Sequence, residues 1–385
     1  MKCTTDALII GGGVIGCAIA YYLSKSGVEV TVLERDTIGA QASGAAAGIF
    51  SLLKLLDPID AYRRLLLTSL ALFPSLATEL EAMSGVPLEY EQTGTLRTSR
   101  HTNARQTRRI QRWIESCRTM GLQVEMLTEE ETRRREPLLA PEVCAAVYLP
   151  GEGQVKAPNV VAAFAKAAMH YGATIAEHQE VVGIQSHNGH VISAATADGT
   201  TILCNHLILS SGAWSGQCGK WFNLALPIVP QRGQMLALQQ PSSPIRHIVI
   251  GDGVYLAPKQ DGTVIVGATK EEVGFDTRVT VGGALWLLEA AIKLMPALEQ
   301  CAVERLWTGL RPKTPDTFPI LGRATDWKNV TLAVGHGSFG VLLSAITGQA
   351  IAELMTTGQL PEIIRPFSLE RFTSRAETLE GAATG

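Results

Sequence analysis

The chain has 385 residues, 46% of them hydrophobic and 18% charged, with a formal net charge of −3. That length exceeds one typical core, so two domains are expected, and the balance of charge offers no polybasic tail or stripe, which argues against a nucleic-acid partner. The seven cysteines (Cys3, Cys17, Cys117, Cys144, Cys204, Cys218, Cys301) form no CxxC pair and the eight histidines no HxxxH, which excludes a disulfide framework, gives no support to a metal site and fits a reduced, cytoplasmic protein.

In chain order, the apolar run from Ala7 to Leu23 behind Lys2 resembles a signal peptide only superficially, because Asp6 precedes it and Gly11, Gly12, Gly13 and Gly16 interrupt it. Elsewhere no run of 18 apolar residues is found, so no membrane-spanning segment is expected. Ala7–Ile10 reads instead as a short strand. Val14–Ser26 has apolar positions at helical spacing and is stopped by Gly27, and Val28–Leu33 is a second, β-branched strand closing on Glu34.

Between the first strand and the helix stands Gly11-x-Gly13-x-x-Gly16. In such a unit the first glycine makes the tight turn, the second lets the backbone approach a pyrophosphate, and the third lets helix and strand pack closely. Val14 and Ile15 then belong to a helix N-terminus whose free N–H groups and positive dipole end favour phosphates. Glu34 is placed to accept hydrogen bonds from the adenosine ribose and disfavours a cofactor with a 2′-phosphate. Arg35 and the small-residue stretch Ala42, Ser43, Gly44, Ala45, Ala46, Ala47, Gly48, Ile49 would let a second loop lie along a cofactor as large as FAD.

Leu52–Leu56 and Leu65–Phe73, broken by Lys54, Arg63 and Arg64, read as part of a helix packed on the cofactor domain, with contact to a membrane surface as the alternative. Helices are expected near 101–120 and 281–295, and β-rich runs at Ile228–Leu238, Ile245–Ile250, Val254–Ala257 and Val264–Ala268. The last thirteen residues, 373–385, rich in Ala, Thr, Gly and Glu, read as a disordered tail.

Eight segments, in order, resemble the D-amino-acid oxidase superfamily of FAD-dependent oxidoreductases, and within it most closely the bacterial glycine oxidases. They are IIGGGVIGCAIAYYL (9–23), ERDTIGAQASGAAAGI (34–49), LPGEGQVKAPNVVAAFAKAA (149–168), LILSSGAWSG (207–216), PQRGQML (230–236), YLAPKQDGTVIVGAT (255–269), WTGLRPKTPDTFPILGR (307–323) and VGHGSFGVLLS (334–344). The resemblance implies an α/β fold. A Rossmann-like FAD-binding domain with a parallel sheet (1–88, 145–222 and 306–372) is interleaved with an antiparallel-sheet α+β substrate-binding cap (89–144 and 223–305).

It further implies that Arg311 grips a substrate carboxylate, where a planar guanidinium can make two parallel hydrogen bonds, and that the Tyr255 hydroxyl reaches the same group. Val181 and Gly212 are implied at the cofactor, and so is the turn Gly335–Gly340, whose His336, Gly337, Ser338, Phe339 and Gly340, with Val341 and Leu342 of the following helix, would face the flavin. That turn departs from glycine oxidases, which commonly carry an aromatic, an Arg and an Asn where this chain has Gly337, Ser338 and Phe339. Gly-His-Gly-Ser is similar to the turn of D-amino-acid dehydrogenases. The turn has no cysteine, so FAD is expected to be non-covalent.

The activity implied is oxidative deamination of glycine, or of a similarly small amino acid or amine such as sarcosine or a small D-amino acid. The product is the 2-oxo acid, glyoxylate from glycine, with oxygen reduced to hydrogen peroxide. By analogy such an activity would serve thiamine thiazole synthesis, and a homo-oligomer is expected. Two alternatives stand beside it: a D-amino-acid or amine dehydrogenase that uses a quinone or protein acceptor, and a flavin-bearing electron-relay subunit of a larger complex.

Overall fold

The computed structural model describes residues 4–52, 60–100, 104–119 and 121–372. The tail 373–385, Cys3 and the run 53–59 lie outside the described residues.

The first 35 residues fold as their periodicity requires. The strand Thr4–Ile10 pairs in parallel with Val30–Leu33, Ala7 opposite Val30 and Ile10 opposite Leu33. Between them runs the helix Val14–Lys25, buried at every position but Tyr22 and Lys25. That burial explains why the helix is apolar nearly all round: it is flanked by the helices Ala157–His170 and Gly340–Thr357. Gly348 permits the closer of these contacts, since a Cβ there would stand 3.0 Å from the Ala18 carbonyl.

Parallel strands extend the sheet on both sides, with Thr174–Ala176 beyond Val30–Leu33, and Thr201–Leu209 then Val330–Val334 beyond Thr4–Ile10. Ile320–Arg323 closes one edge antiparallel, and the strands Val181–His187 and His190–Thr196 hang antiparallel from Thr201–Leu209. The strand order reverses direction about Thr4–Ile10, so the carboxyl ends of Thr4–Ile10 and Thr201–Leu209 open a crevice, the place where open α/β sheets bind ligands.

A second eight-stranded sheet runs in the order Val303–Lys313, Val229–Gln239, Thr263–Gly267, Val254–Pro258, Ile248–Gly251, Thr95–Ser99, Ala145–Leu149 and Glu125–Leu127. All its pairings are antiparallel except Ile248–Gly251 with Thr95–Ser99. Its outer face is covered by the helix Val281–Leu294. Two strands fall across the segment boundaries expected at 145 and 306: Ala145–Leu149 and all of Val303–Lys313 hydrogen-bond within this second sheet.

The helix Asp60–Ser84 buries one stripe, Tyr62, Leu65, Leu66, Ser69, Phe73, Leu76, Ala77 and Leu80, at i, i+3, i+4 spacing, leaving Arg64 exposed. It and Gly337–Thr357 are long and apolar enough to cross a membrane by length and composition alone, a test that the core helix of a soluble protein also passes. Here the two pack on each other, and Ser69 Oγ donates to the Leu342 carbonyl at 2.5 Å.

A short antiparallel ladder, Ile49–Phe50 with Gly153–Gln154, joins the small-residue loop to the strands of the second sheet. Beside it Glu152 is fully buried. Its carboxylate accepts from Arg97 Nη2 at 3.0 and 3.1 Å, from the Leu52 amide at 2.5 Å, and from the Thr95 hydroxyl. Removing it takes the carboxylate from a largely buried guanidinium and from the amide that ends the loop. Glu152→Ala should therefore lose about 3–5 kcal/mol of unfolding free energy, measured by denaturant titration of the holoenzyme, and Glu152→Gln distinctly less.

Candidate active site

One cavity of about 930 Å³ lies between the crevice of the first sheet and the inner face of the second. At one end its floor is the glycine turn. Gly11 has φ +109°, open to glycine alone, and its amide is held by the Leu33 carbonyl at 2.9 Å. Gly13, Val14 and Ile15 line the cavity.

Gly16, expected with Gly11, Gly13, Val14 and Ile15 to bind the cofactor, does not line it: a Cβ there would press on the Gly11 carbonyl oxygen and lie 2.7 Å from Ser210 Oγ. Its task is close packing of helix on strand, as the motif's third glycine requires.

Glu34 takes the Gly12 amide on Oε2 at 2.7 Å and the Asp36 amide on Oε1 at 2.9 Å. These bonds orient the carboxylate and leave each oxygen a lone pair for a hydroxyl. Arg35 lies over the Trp214 ring, 3.7 Å from its centroid, and with Val181 and Gly212 bounds the same end.

The second loop forms the roof of this floor. Ala42–Ala45 is one helical turn, and Ser43 Oγ accepts the Val14 amide at 3.0 Å, tying the loop to the helix N-terminus. Ala42, Ser43, Ala47, Gly48 and Ile49 all reach the cavity. The loop rests on the second sheet. Trp307 Nε1 donates to the Ala45 carbonyl at 2.9 Å, and Lys259 Nζ donates to the Ala47 carbonyl at 2.7 Å, to Gln154 Oε1 at 2.8 Å and to the Val155 carbonyl at 3.2 Å. Burial pulls the Lys259 ammonium down to about 8, against the pull of Glu89, Glu91 and Asp261.

Arg311 and Tyr255 stand at the other end, on strands separated by two others in the second sheet. Each rests on a glycine. A Cβ on Gly233 would lie 2.6 Å from Arg311 Cζ, and one on Gly267 would lie 2.6 Å from Tyr255 Cζ. Arg311 Nη1 donates to the Thr269 carbonyl at 3.0 Å. Burial lowers the Arg311 guanidinium from its ordinary value, and it raises the Tyr255 hydroxyl to about 12 although Arg311 opposes it. At neutral pH the pair is therefore a cation and an O–H donor, a fit for a carboxylate.

The turn at 335–340 closes the cavity between these ends. His336, Gly337, Ser338, Phe339, Gly340, Val341 and Leu342 line it, with Gly337–Phe339 forming a single 3-10 turn that feeds the helix Gly340–Thr357. His336 is buried, its Nε2 3.1 Å from Thr347 Oγ1, and burial holds it down to about 3. A neutral imidazole tied to its own helix anchors the turn; it is not poised to move protons.

Residues 6–354 match the DAO family, described as FAD dependent oxidoreductase. The chain belongs to this family. It is 35% identical to a glycine oxidase of Geobacillus kaustophilus over 95% of this chain and 97% of that protein. The crystal structure of glycine oxidase from Geobacillus kaustophilus superposes with a TM-score of 0.90 at 34% identity, covering 96% of this chain and 99% of that one. L-proline dehydrogenase from P. horikoshii superposes at 0.87 with 26% identity, covering 97% and 99%. The bifunctional protein ThiO/ThiG of Trichormus variabilis is 33% identical over 97% of this chain, which spans 56% of that protein. The resemblance read from the eight segments is thus the family the chain belongs to, and its α/β fold is that of the glycine oxidase structures.

The residues present fit FAD. The floor offers a glycine turn at a helix N-terminus, the Glu34 carboxylate keeps free lone pairs, and no bulky side chain stands on Gly11, Gly13 or Gly48, where a Cβ would meet Ser210, Ser43 or Val155. Sequence reasoning overlooked Gly233, Gly267, Lys259, Trp214 and the rim residue Lys270. The first four lie inside segments quoted for the resemblance, yet a glycine that seats a side chain from another strand looks in sequence like any strand glycine.

Two outcomes are expected. Gly233→Ala should overpack the Arg311 seat and weaken carboxylate binding by about 1–3 kcal/mol, whereas Arg311→Ala should lose about 2–4 kcal/mol and Arg311→Lys recover only part. Both are checked by steady-state kinetics with retained flavin absorbance as control. Acid precipitation of the purified yellow protein should release intact FAD into the supernatant; flavin remaining on the pellet would show a covalent link.

Proposed function

We propose that this enzyme oxidises glycine, or a similarly small amino acid or amine such as sarcosine or a small D-amino acid, to the imine. The imine then hydrolyses to the 2-oxo acid, releasing ammonia from a primary amino acid or methylamine from sarcosine; glycine and sarcosine both give glyoxylate. The observation that carries this reading is the Arg311–Tyr255 pair, a buried cation and a protonated phenol at the end of the cavity that begins at the Gly11 turn. FAD, when bound, supplies the two-electron acceptor, held non-covalently by the Gly11–Ile15 turn, Glu34, the Ala42–Ile49 loop and the turn at His336–Leu342.

The remaining work falls to the chain. Arg311 and Tyr255 hold the carboxylate by charge-assisted hydrogen bonds and so fix the rotation of the substrate about its α-carbon. The roof loop and the turn at Gly337–Gly340 exclude water from that carbon. Among the described residues no carboxylate or imidazole is hydrogen-bonded to Arg311 to act as a base on carbon, and none is needed when the amine nitrogen is neutral and its lone pair forms the imine bond as the α-hydrogen leaves with both electrons. Oxygen accepts those electrons in turn, giving hydrogen peroxide. The division of labour follows the sheets: the first sheet with its helices holds the cofactor, and the second presents the carboxylate site.

The relationship to a ThiO/ThiG protein supports a role in thiamine thiazole synthesis for the same product. A second reading, a dehydrogenase that delivers electrons to a quinone or protein, is favoured by one feature. The turn carries Ser338 where an arginine is common, which leaves less positive charge beside the cofactor site to favour developing superoxide or peroxide charge, and a relative of this fold is named a dehydrogenase.

Stopped-flow mixing separates the two. After anaerobic reduction by glycine, the oxidised flavin absorbance should return in air-saturated buffer with matching peroxide. Reduced flavin that survives minutes in air, yet is oxidised at once by a soluble quinone analogue, would establish the dehydrogenase.

A further inference from the structure

Behind Arg311 lies a polar network that none of the steps above uses. The segment Thr269–Thr280 leaves the strand Thr263–Gly267 and crosses the strand Val229–Gln239. Arg232, 3% exposed beneath it, pairs with Glu271 at 2.5 Å and Asp276 at 3.0 Å, and donates to the Arg278 carbonyl at 3.1 Å. The backbones of Arg232 and Glu271 exchange both hydrogen bonds, at 2.9 and 3.0 Å. Gln234, 1% exposed, donates through Nε2 to Glu271 Oε1 at 2.8 Å and to Thr280 Oγ1 at 2.9 Å, and its Oε1 accepts the Thr280 amide at 2.8 Å.

These bonds converge on Thr269. Its hydroxyl accepts the Gln234 amide at 2.8 Å and donates to Glu271 Oε1, and its own amide donates to the Gln234 carbonyl at 3.2 Å. The carbonyl of the same residue is the hydrogen-bond partner of the cavity-lining Arg311 among the described residues. Burial would raise the Glu271 carboxyl, but bonds from Thr269, Arg232 and Gln234 and the charge of Arg232 hold it below the usual carboxylate range. A guanidinium on three methylenes is free to swing. Gly233 bounds it from below and the Thr269 carbonyl from one side, leaving the rest of the fork to face the substrate.

We propose that Glu271, acting with Gln234 through Thr269, is a positioning residue that sets the angle of the Arg311 fork and thereby the enzyme's affinity for carboxylates. This rests on Arg311 being the carboxylate site.

The test uses holoenzyme. Acetate, a carboxylate without an amine, is titrated by its perturbation of the flavin absorbance, and glycine kinetics are run alongside, in Glu271→Ala, Glu271→Gln, Thr269→Val and Arg311→Ala. Glu271→Ala and Thr269→Val should each weaken acetate binding and raise the glycine KM about tenfold, the worth of one misaligned bond to a charged group. Under saturating glycine kcat should stay within about threefold and FAD content should be unchanged. Glu271→Gln, which keeps an acceptor for Thr269, should recover most of the affinity. Should Glu271→Ala fail to fold once Arg232, Gln234 and Thr269 lose that acceptor, the near-isosteric Thr269→Val decides by the same criterion. If Arg311→Ala weakens acetate but Thr269→Val binds it like wild type, positioning is refuted. It is equally refuted if kcat and FAD content fall while acetate affinity holds. If Arg311→Ala itself binds acetate normally, the carboxylate assignment falls instead.

Discussion

The small-residue loop at 42–50 is pressed between two sheets, and the geometry of the whole cavity follows from that contact. From the first sheet Ser43 takes the amide that opens the glycine-turn helix; from the second, Trp307 and Lys259 reach up to the carbonyls of Ala45 and Ala47. Lys259 is the stiffest of these ties. A buried ammonium keeps its proton only if its three donors are met, and here two carbonyls and the Gln154 amide oxygen meet them. Loosening the loop would uncover Lys259 as well as separate the cofactor floor from the carboxylate site, so the two halves of the cavity are energetically one unit.

The second constraint is steric. An antiparallel sheet packed against a cofactor cavity has little room for an arginine and a tyrosine lying flat on its face. The chain makes that room by deleting side chains beneath them, at Gly233 and Gly267. A strand glycine weakens its strand, and the network around Glu271 restores order on the same strands: Arg232 and Gln234 flank Gly233 in sequence and bind the segment that follows Gly267. The positions that lose packing for the sake of the site thus sit beside the best-bonded polar side chains of the sheet.

Charge is arranged with the same economy. Glu34 and Arg311 stand at opposite ends of the cavity, while the histidine between them is kept neutral by burial. The acids near Arg311 are turned away: Glu271 and Asp276 bind Arg232, and Glu272 binds Lys313. Among the described residues Arg311 thus lines the cavity with no acidic partner, bonded only to the Thr269 carbonyl, an arrangement suited to a carboxylate.

Much of this was legible in the residues themselves. The glycine turn, its helix and Glu34 are contiguous, so local periodicity and spacing determined them, and even the distinction between Gly13, which lines the cavity, and Gly16, which packs, follows from the motif. The eight family segments likewise foretold the fold and the FAD, and they contain Arg311 and Tyr255, which line one cavity. What only tertiary structure decided are relations between strands distant in sequence: Ala145–Leu149 and Val303–Lys313 joining the second sheet, Gly233 beneath Arg311, Lys259 under Ala47, and Glu271 behind Thr269. Two long apolar helices that pass a hydropathy count for membrane spans bury apolar faces here, against each other and, for Gly340–Thr357, against Val14–Lys25. Hydrophobic period reports which face of an element is buried, but not against what. A glycine or a lysine carries no period at all, and its role exists only once the sheet has brought its partner across.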